Sequence, residues 1–395
     1  MNRVGFVMNF AGPSWLGGVS YFRNLLAALA LLPDPRIEPV IVTGRDGASI
    51  SAARALWPAA PVASGTVTPG RPVWKMRRAL QRYLGRDLIF ERLAIRHGVT
   101  LVSHSGHLGR HASVPTLPWI PDFQERHFPR FFTAADIEGR ARNIRDLARH
   151  STAILLSSHA ARADLLAIDA KLSDRVEVLR FVADIPPSSK TPDPAVVAAR
   201  HAVDRPYFLL PNQFWAHKNH AVIIDALARL RTGHSDIMVV ATGSTTDHRQ
   251  PDHFQALMRR VAESGVENNF KAVGAVPYAD LMALMRGCVA VLNPSLFEGW
   301  STGVEEAKSM GKPIALSDIP VHREQNPANA HYFSPTDPDA AAEALRTVWS
   351  SWNPTEDLAR QTDAASLLDC RRNDFARAYE DIALRTIARR QPGGL

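Results

Sequence analysis

Along this chain, short apolar runs rich in β-branched residues alternate with stretches in which apolar residues recur at helical spacing. RVGFVMNF, PVIVTG, AILLSS, VEVLRFV, YFLLPN, IMVVATG and CVAVLNP read as buried strands. A strand that is apolar on both faces must be covered on both, and parallel neighbours need a crossover of helical length. The pattern therefore calls for an α/β fold of parallel sheets with helices on both faces. The 395 residues suffice for two or three such domains. Pro and Ser concentrate in IPPSSKTPDPAV, ahead of a new strand at Tyr207, and this places a domain boundary between residues 186 and 187. The second domain would then end near residue 373, and the amphipathic segment ARAYEDIALRTIARR within 374–395 would return to pack on the first. In open α/β sheets ligands bind outside the carboxyl ends of the strands, so the loops that follow strands are where function is sought.

Charge divides along the same boundary. The formal net charge is +7, but residues 1–186 hold 24 Lys and Arg against 15 Asp and Glu, and the rest of the chain is slightly acidic. The richest stretch, RPVWKMRRALQRYLGRDLIFERLAIR at 71–96, has eight basic and two acidic residues with Val73, Trp74, Met76, Leu80, Tyr83 and Leu84 between them. Such a face suits an anionic membrane surface or an anionic substrate, and equally a solvated helix that covers its own domain. Nucleic acid is not expected, since aromatics are few and no binding signature accompanies the charge. No apolar run approaches the ~18 residues of a membrane span, and the start MNRVGFVMNFAGP lacks the pattern of a secretory signal. A cytoplasmic protein, peripheral at most to the inner face of a membrane, is the expectation. Cys288 and Cys370 are too few for a disulfide framework and read as reduced packing residues.

Three post-strand loops could carry chemistry. The first, AGPSWLGGVSYF, puts Gly12, Gly17 and Gly18 before a helix, where backbone can approach an anion; a purely structural turn fits as well. The second, after YFLLPN, places Gln213, His217 and Lys218 at a strand end and helix start, where Lys218 can add a full charge to a helix-terminal anion site. The third is VAVLNPSLFEGWSTGVEEAKSMGKPIALS. Here a strand ends at Asn293, a loop holds Glu298, Gly299, Trp300 and Ser301, and a helix from about Val304 to Met310 stops at Gly311. Carboxylates accept from sugar or ribose hydroxyls, whereas amides and a lysine suit phosphate, so a nucleotide carrying a sugar fits the set. Glu305 and Glu306 could also simply favour the helix start.

Taken together, these motifs resemble the retaining nucleotide-sugar glycosyltransferases of glycosyltransferase family 4, whose GT-B fold has two Rossmann-like domains facing a central cleft. The similar segments are PNQFWAHKNH, ATGS, NPSLFEGWSTGVEEAKSMGKPIALS and SDIPVHREQ in the second half, and LGGVSYF, WIPDFQERHFPRFF and AILLSSHAARADL in the first. The resemblance implies that Glu306 binds the ribose hydroxyls and that Glu298 lies beside the donor sugar. It implies that the Gly299, Trp300, Ser301 and Thr302 segment holds sugar or phosphate, with Gln213, His217, Lys218 and Gly243 around the diphosphate and Gly17 and Gly18 approaching from the opposite domain. Glu298, Lys218 and Asp122 are the catalytic candidates. Two departures stand out: the family's usual arginine is Gln213 here, and its usual His-Asp is Pro121-Asp122, with His127 nearby.

The implied reaction moves a sugar from a nucleoside diphosphate, with uridine or guanosine as the expected bases, to a hydroxyl of a glycan or lipid-linked acceptor, with anomeric configuration kept. Base recognition would fall around Gly274 to Tyr278. No cofactor or metal is expected: Asp337-Pro338-Asp339 has the spacing of a metal-binding D-x-D but opens an apolar helix, where capping is the simpler role. His104, His107 and His111 have ligand-like spacing without a carboxylate or Cys among them. The alternatives are a sugar-nucleotide epimerase or silent binder on the same fold, and, more remotely, a serine hydrolase. The last would use the literal G-x-S-x-G at Gly299 to Gly303, with Ser301, Asp318 and His322 or His331 as its triad.

Overall fold

A computed structural model of the chain describes residues 1–8 and 16–389, and these fall into two compact units. The first comprises Met1–Phe123, Ala134–Val182 and the chain from Cys370 onward; the second comprises Gln124–Thr133 and Ala183–Asp369. Residues 124–133, which the sequence reading leaves in the first domain, thus pack with the second unit. The helix Pro354–Ala388 contributes to the second unit up to Asp369 and to the first from Cys370.

In the first unit, β1 (Asn2–Met8), β2 (Ile37–Thr43), β3 (Val62–Ala63), β4 (Val99–Ser103) and β5 (Thr116–Leu117) form a parallel sheet in the order β3-β2-β1-β4-β5. A second parallel sheet holds β6 (Trp119–Ile120), β7 (Ile154–Leu156) and β8 (Val176–Val178). Only Pro118 separates β5 from β6. It lacks an N–H for the ladder, yet its carbonyl accepts from Leu155 and that of Thr116 accepts from Ala153, so the two sheets run on as one surface. The helix Leu16–Ala30 packs Phe22, Leu25, Leu26 and Leu29 inward, the face its spacing sets out. Tyr379 of the C-terminal helix is fully buried, with its ring 5.7 Å from that of Phe6 and its hydroxyl donating to Ser103 Oγ at 2.8 Å.

The second unit is one parallel sheet of β9 (Phe208–Leu210), β10 (Val239–Thr242), β11 (Phe270–Gly274), β12 (Val291–Asn293), β13 (Ile314–Ser317) and β14 (Ala330–Phe333). Its order is β11-β10-β9-β12-β13-β14, the doubly wound arrangement whose direction of winding reverses between β9 and β12. Phe208, Leu210, Val239 and Leu292 pack against Ile223 and Leu227 of the helix His220–Leu230 and against Leu345 of the helix Pro338–Ser351. Each such side chain contributes roughly 1.5–3 kcal/mol on burial. The helix after β12 runs Thr302–Met310 and ends at Gly311 in the left-handed conformation (φ 74°), where any Cβ would lie 2.3 Å from the Arg360 carbonyl oxygen.

Cys288 is buried, but Cys370 is exposed on the C-terminal helix, so only one of the two is a packing residue. Among the described residues no helix is long and apolar enough to cross a membrane.

Candidate active site

The winding reversal of the second unit leaves a gap between the carboxyl ends of β9 and β12, and polar residues converge there. Asn293, the last residue of β12, donates through Nδ2 to Ser301 Oγ at 2.7 Å, and its Oδ1 lies 3.3 Å from Asn212 Nδ2, just past β9. Ser301 in turn caps the helix Thr302–Met310 by accepting from the Val304 N–H. Gln325 holds the same residue from outside: its Nε2 donates to the Ser301 carbonyl at 3.0 Å and its Oε1 accepts the Ser301 N–H. These buried bonds fix the loop 294–301 between a strand end and a helix start, where helix N–H groups favour an anion.

Two further ties bring the loop onto the segment after β9. The Leu296 N–H donates to the His217 carbonyl at 2.8 Å, and Asn219 Nδ2 donates to the carbonyls of Pro294 and Pro335. Asn219 adopts φ 58°, a left-handed conformation that Asn tolerates better than most residues. The result is the central contact of the site: Lys218 Nζ lies 2.6 Å from Glu298 Oε1, with the two side chains 16% and 9% exposed. Ser295 Oγ donates to the same carboxylate oxygen at 2.7 Å.

Burial pushes the Glu298 carboxyl up, but the Lys218 ammonium, nearby His322 and the Ser295 hydroxyl together outweigh it and hold the group below the usual carboxylate range. Glu298 is therefore ionised at neutral pH. His217 moves well below its ordinary value through burial first and then through the charges of Lys218 and Arg249. His322 is lowered by burial against the opposing pull of Glu298. Its Nδ1–H donates to the Ser317 carbonyl at 2.8 Å, which leaves the buried Nε2 as an acceptor with no partner.

Of the residues expected at the donor site, Gln213, His217, Lys218, Gly243, Glu298, Gly299, Trp300, Ser301, Thr302 and Glu306 all belong to the second unit. Gly243 follows β10 with φ 143°, and a Cβ there would meet the Asn212 carbonyl oxygen at 2.5 Å. Only glycine lets this loop lie against the end of β9. Glu306 is buried in the second turn of its helix. Glu305 is a structural neighbour, accepting from Lys308 Nζ and Gln325 Nε2. Gly17 and Gly18 stand in the first turn of the helix Leu16–Ala30 of the first unit, and Gly12 lies outside the described residues. Asp122, also in the first unit, pairs with Arg140 at 3.3 Å. His127 belongs to the second unit, its ring 5.1 Å from that of Phe297, the residue before Glu298.

Sequence reasoning missed Arg249, which stands where the chain passes from β10 toward the next helix. Its guanidinium lies over the rings of Trp215 and Phe132, at 5.1 and 5.2 Å, and its Nη1 donates to Gln124 Oε1. Its Nε also lies 3.5 Å from Asp247 Oδ1. Like Lys218, this cation lowers the His217 pKa, although the position expected to carry it is Gln213. The available signal was an arginine a few residues past a strand-end glycine. Asn293 is read from the sequence only as a strand end and Ser295 is not singled out, although both bond into the site.

The other motifs resolve structurally. Asp337 caps the helix Pro338–Ser351, accepting the N–H groups of Asp339 and Ala340. His104 is engaged at both nitrogens, by Tyr21 Oη and Ser103 Oγ. Ser301 is an acceptor for Asn293 and the helix amide, and the ring of His322 is bonded to Ser317, so the G-x-S-x-G lacks a serine–histidine pair among the described residues.

Residues 196–365 match the family model described as glycosyl transferases group 1. The O-antigen chain mannosyltransferase RfbU of Salmonella typhimurium is 26% identical over 144 residues, which is 36% of this chain and only 38% of that protein. Among solved structures, Anabaena Alr3699/HepE in complex with UDP and glucose is similar at a TM-score of 0.68, with 16% identity, over 98% of this chain and all of that one. A glycosyltransferase from Rickettsia africae gives the same TM-score at 14% identity over 98% of each chain. These structures share this chain's α/β fold, that of the GT-B glycosyltransferases.

Proposed function

We propose that the protein is a retaining glycosyltransferase that moves a sugar from a nucleoside-diphosphate sugar to a hydroxyl of a glycan or lipid-linked acceptor in surface polysaccharide or glycolipid synthesis. The Lys218–Glu298 pair at the ends of β9 and β12 is the observation that carries this reading. As the glycosidic bond breaks, negative charge grows on the leaving diphosphate and positive charge on the sugar ring. A fixed lysine and a fixed carboxylate side by side suit the two charges, and groups already in place cost no reorganisation at the moment of reaction. Lys218 and Arg249 would hold the diphosphate, the amides of Gly299 to Thr302 would complete its cradle, and Glu306 would take the ribose hydroxyls. Glu298, ionised and buried, would face the donor sugar. The base would lie along Gly274 to Tyr278, where the Gly274 carbonyl already accepts from the Gly243 N–H.

Metal independence belongs to the same proposal, supported by the lysine and arginine that can meet the diphosphate and by the capping role of Asp337. A name such as O-antigen chain mannosyltransferase, borne by one similar protein, favours a glycan acceptor of the cell surface. A cytoplasmic location, with the exposed part of 71–96 touching an anionic inner leaflet, completes the reading. The test is an assay of UDP- and GDP-sugars with oligosaccharide acceptors in the presence of EDTA, with the product anomer read by NMR. Transfer with retained configuration is expected. A strict requirement for added Mn²⁺, inversion at the anomeric carbon, or epimerised donor formed without acceptor would each contradict it.

A further inference from the structure

The first unit has its own cavity, of about 340 Å³, at the carboxyl ends of β1 and β4, the position where its sheet reverses winding. This is near the lower end of small-molecule sites and leaves room for one or two sugar rings. Its walls combine aromatic faces with polar groups: Trp74 from the helix Pro72–Leu84, Trp119 from β6, His104 and His107 from the loop after β4.

We propose that this cavity binds a sugar residue bearing a negative charge, and that Arg78 is the residue that reads the charge. The inference rests on the glycosyltransferase reading, and it names a chemical class for the acceptor. Two arginines line the cavity, and they differ in what they are bonded to. Arg77 is consumed by the fold: it pairs with Asp87 at 2.7 Å, donates to the Thr66 carbonyl and lies 4.5 Å over the Phe90 ring. Arg78 is exposed, its polar partner is the neutral Gln81 Oε1 at 2.7 Å, and among the described residues it forms no ion pair. The sole carboxylate of the lining is Asp87, which is buried and already neutralised by Arg77, with the Phe90 N–H on its other oxygen. Nothing acidic in the cavity therefore offsets Arg78. Such a guanidinium holds a carboxylate or phosphate through paired hydrogen bonds.

The neighbouring groups add neutral donors. His107 Nδ1 accepts from the Gly109 N–H at 3.1 Å, and burial, helped by His150 and Arg78, lowers its pKa to about 4. At neutral pH the ring is uncharged and its proton resides on Nε2, a donor suited to a hydroxyl or an anion. His104 holds φ 55°, unusual for a residue other than glycine, and is locked there by Tyr21 and Ser103. Backbone strain of this kind persists where surroundings over-determine it, and it gathers at ligand sites.

The test uses full-length protein labelled with ¹⁵N at the eight tryptophan indoles, with the Trp74 resonance assigned from Trp74→Phe. Methyl glucuronide and glucose 6-phosphate are titrated, with methyl glucoside as the neutral control. Either anionic sugar should shift the Trp74 resonance and bind at least about 10-fold more tightly than the glucoside, a difference of about 1.4 kcal/mol; which one does so tells carboxylate from phosphate. Arg78→Gln should abolish that preference, with calorimetric affinity for UDP unchanged. The proposal is overturned by equal binding of the neutral glucoside, by a preference that survives Arg78→Gln, or by no shift from any sugar at millimolar concentration. Loss of UDP binding by the wild-type protein would instead count against the donor-site reading, so the two failures are separable.

Discussion

Lys218 Nζ and Glu298 Oε1 lie 2.6 Å apart, although 79 residues separate them in the chain, and each is delivered by a loop at the carboxyl end of a different strand. The ammonium offsets the burial of the carboxylate, and the carboxylate holds the ammonium at the site proposed for the diphosphate. The pair has a definite pH signature. Glu298 sits below its ordinary value of 4.5, so the stability it contributes is complete above that pH and is lost as pH falls through the lowered folded value. In Lys218→Ala the burial of the carboxylate loses its main counterweight, and the acid limb of the pH–rate profile should move toward neutrality. The same variant should lose about 10²–10³ in kcat/KM, measured with saturating acceptor. An acid limb that stays in place would mean the lysine does not govern Glu298.

Arg249 is expected to act as the second cation. Arg249→Ala should weaken UDP binding by about 10-fold, with a smaller effect on uridine, because the loss falls on the diphosphate. Equal losses for UDP and uridine in calorimetry would show a packing role only, through Trp215 and Phe132.

Ser301 is a helix cap in this structure, not a nucleophile. Ser301→Ala should cost about 1 kcal/mol of stability in the second unit, visible as a lower unfolding temperature, and should leave any trace of ester hydrolysis unchanged. Abolished esterase activity would revive the hydrolase reading.

The stretch 71–96 divides into two faces. Arg77 is half-buried in its ion pair, whereas Val73, Met76, Tyr83 and Leu84 are exposed beside Lys75 and Arg82. Binding to vesicles containing phosphatidylserine should weaken by about 1 kcal/mol for each of Lys75→Gln and Arg82→Gln, and should fall with salt. Binding that ignores both substitutions would return this face to solvent.

Much of the second unit was legible because its central strands are buried on both faces and carry polar residues only at their carboxyl ends. YFLLPN, IMVVATG and CVAVLNP all contain strands where their apolar runs predict them. The edge strands β11 and β14 were less visible: FKAVG and AHYF are half-buried, so their composition is mixed. The loops proposed to hold the donor could be found because glycine, lysine and glutamate cluster at strand ends, but the pairing of Lys218 with Glu298 rests on carbonyl contacts from Asn219 and Leu296, which local spacing does not encode. Arg249 escaped notice for a related reason: its partners Gln124 and Phe132 come from a segment more than a hundred residues away that packs in the second unit. The capping role of Asp337 was legible because a Pro after Asp at a helix start already supplies it.

The most direct measurement is calorimetric titration of UDP and GDP into the wild-type protein, Lys218→Ala and Glu298→Gln. The wild type should bind one of the two nucleotides, Lys218→Ala should bind it at least about 10-fold more weakly, and Glu298→Gln, which frees the lysine from its carboxylate, should bind it as tightly or more so while losing turnover. Binding of neither nucleotide, or affinity unaffected by loss of Lys218, would contradict the account.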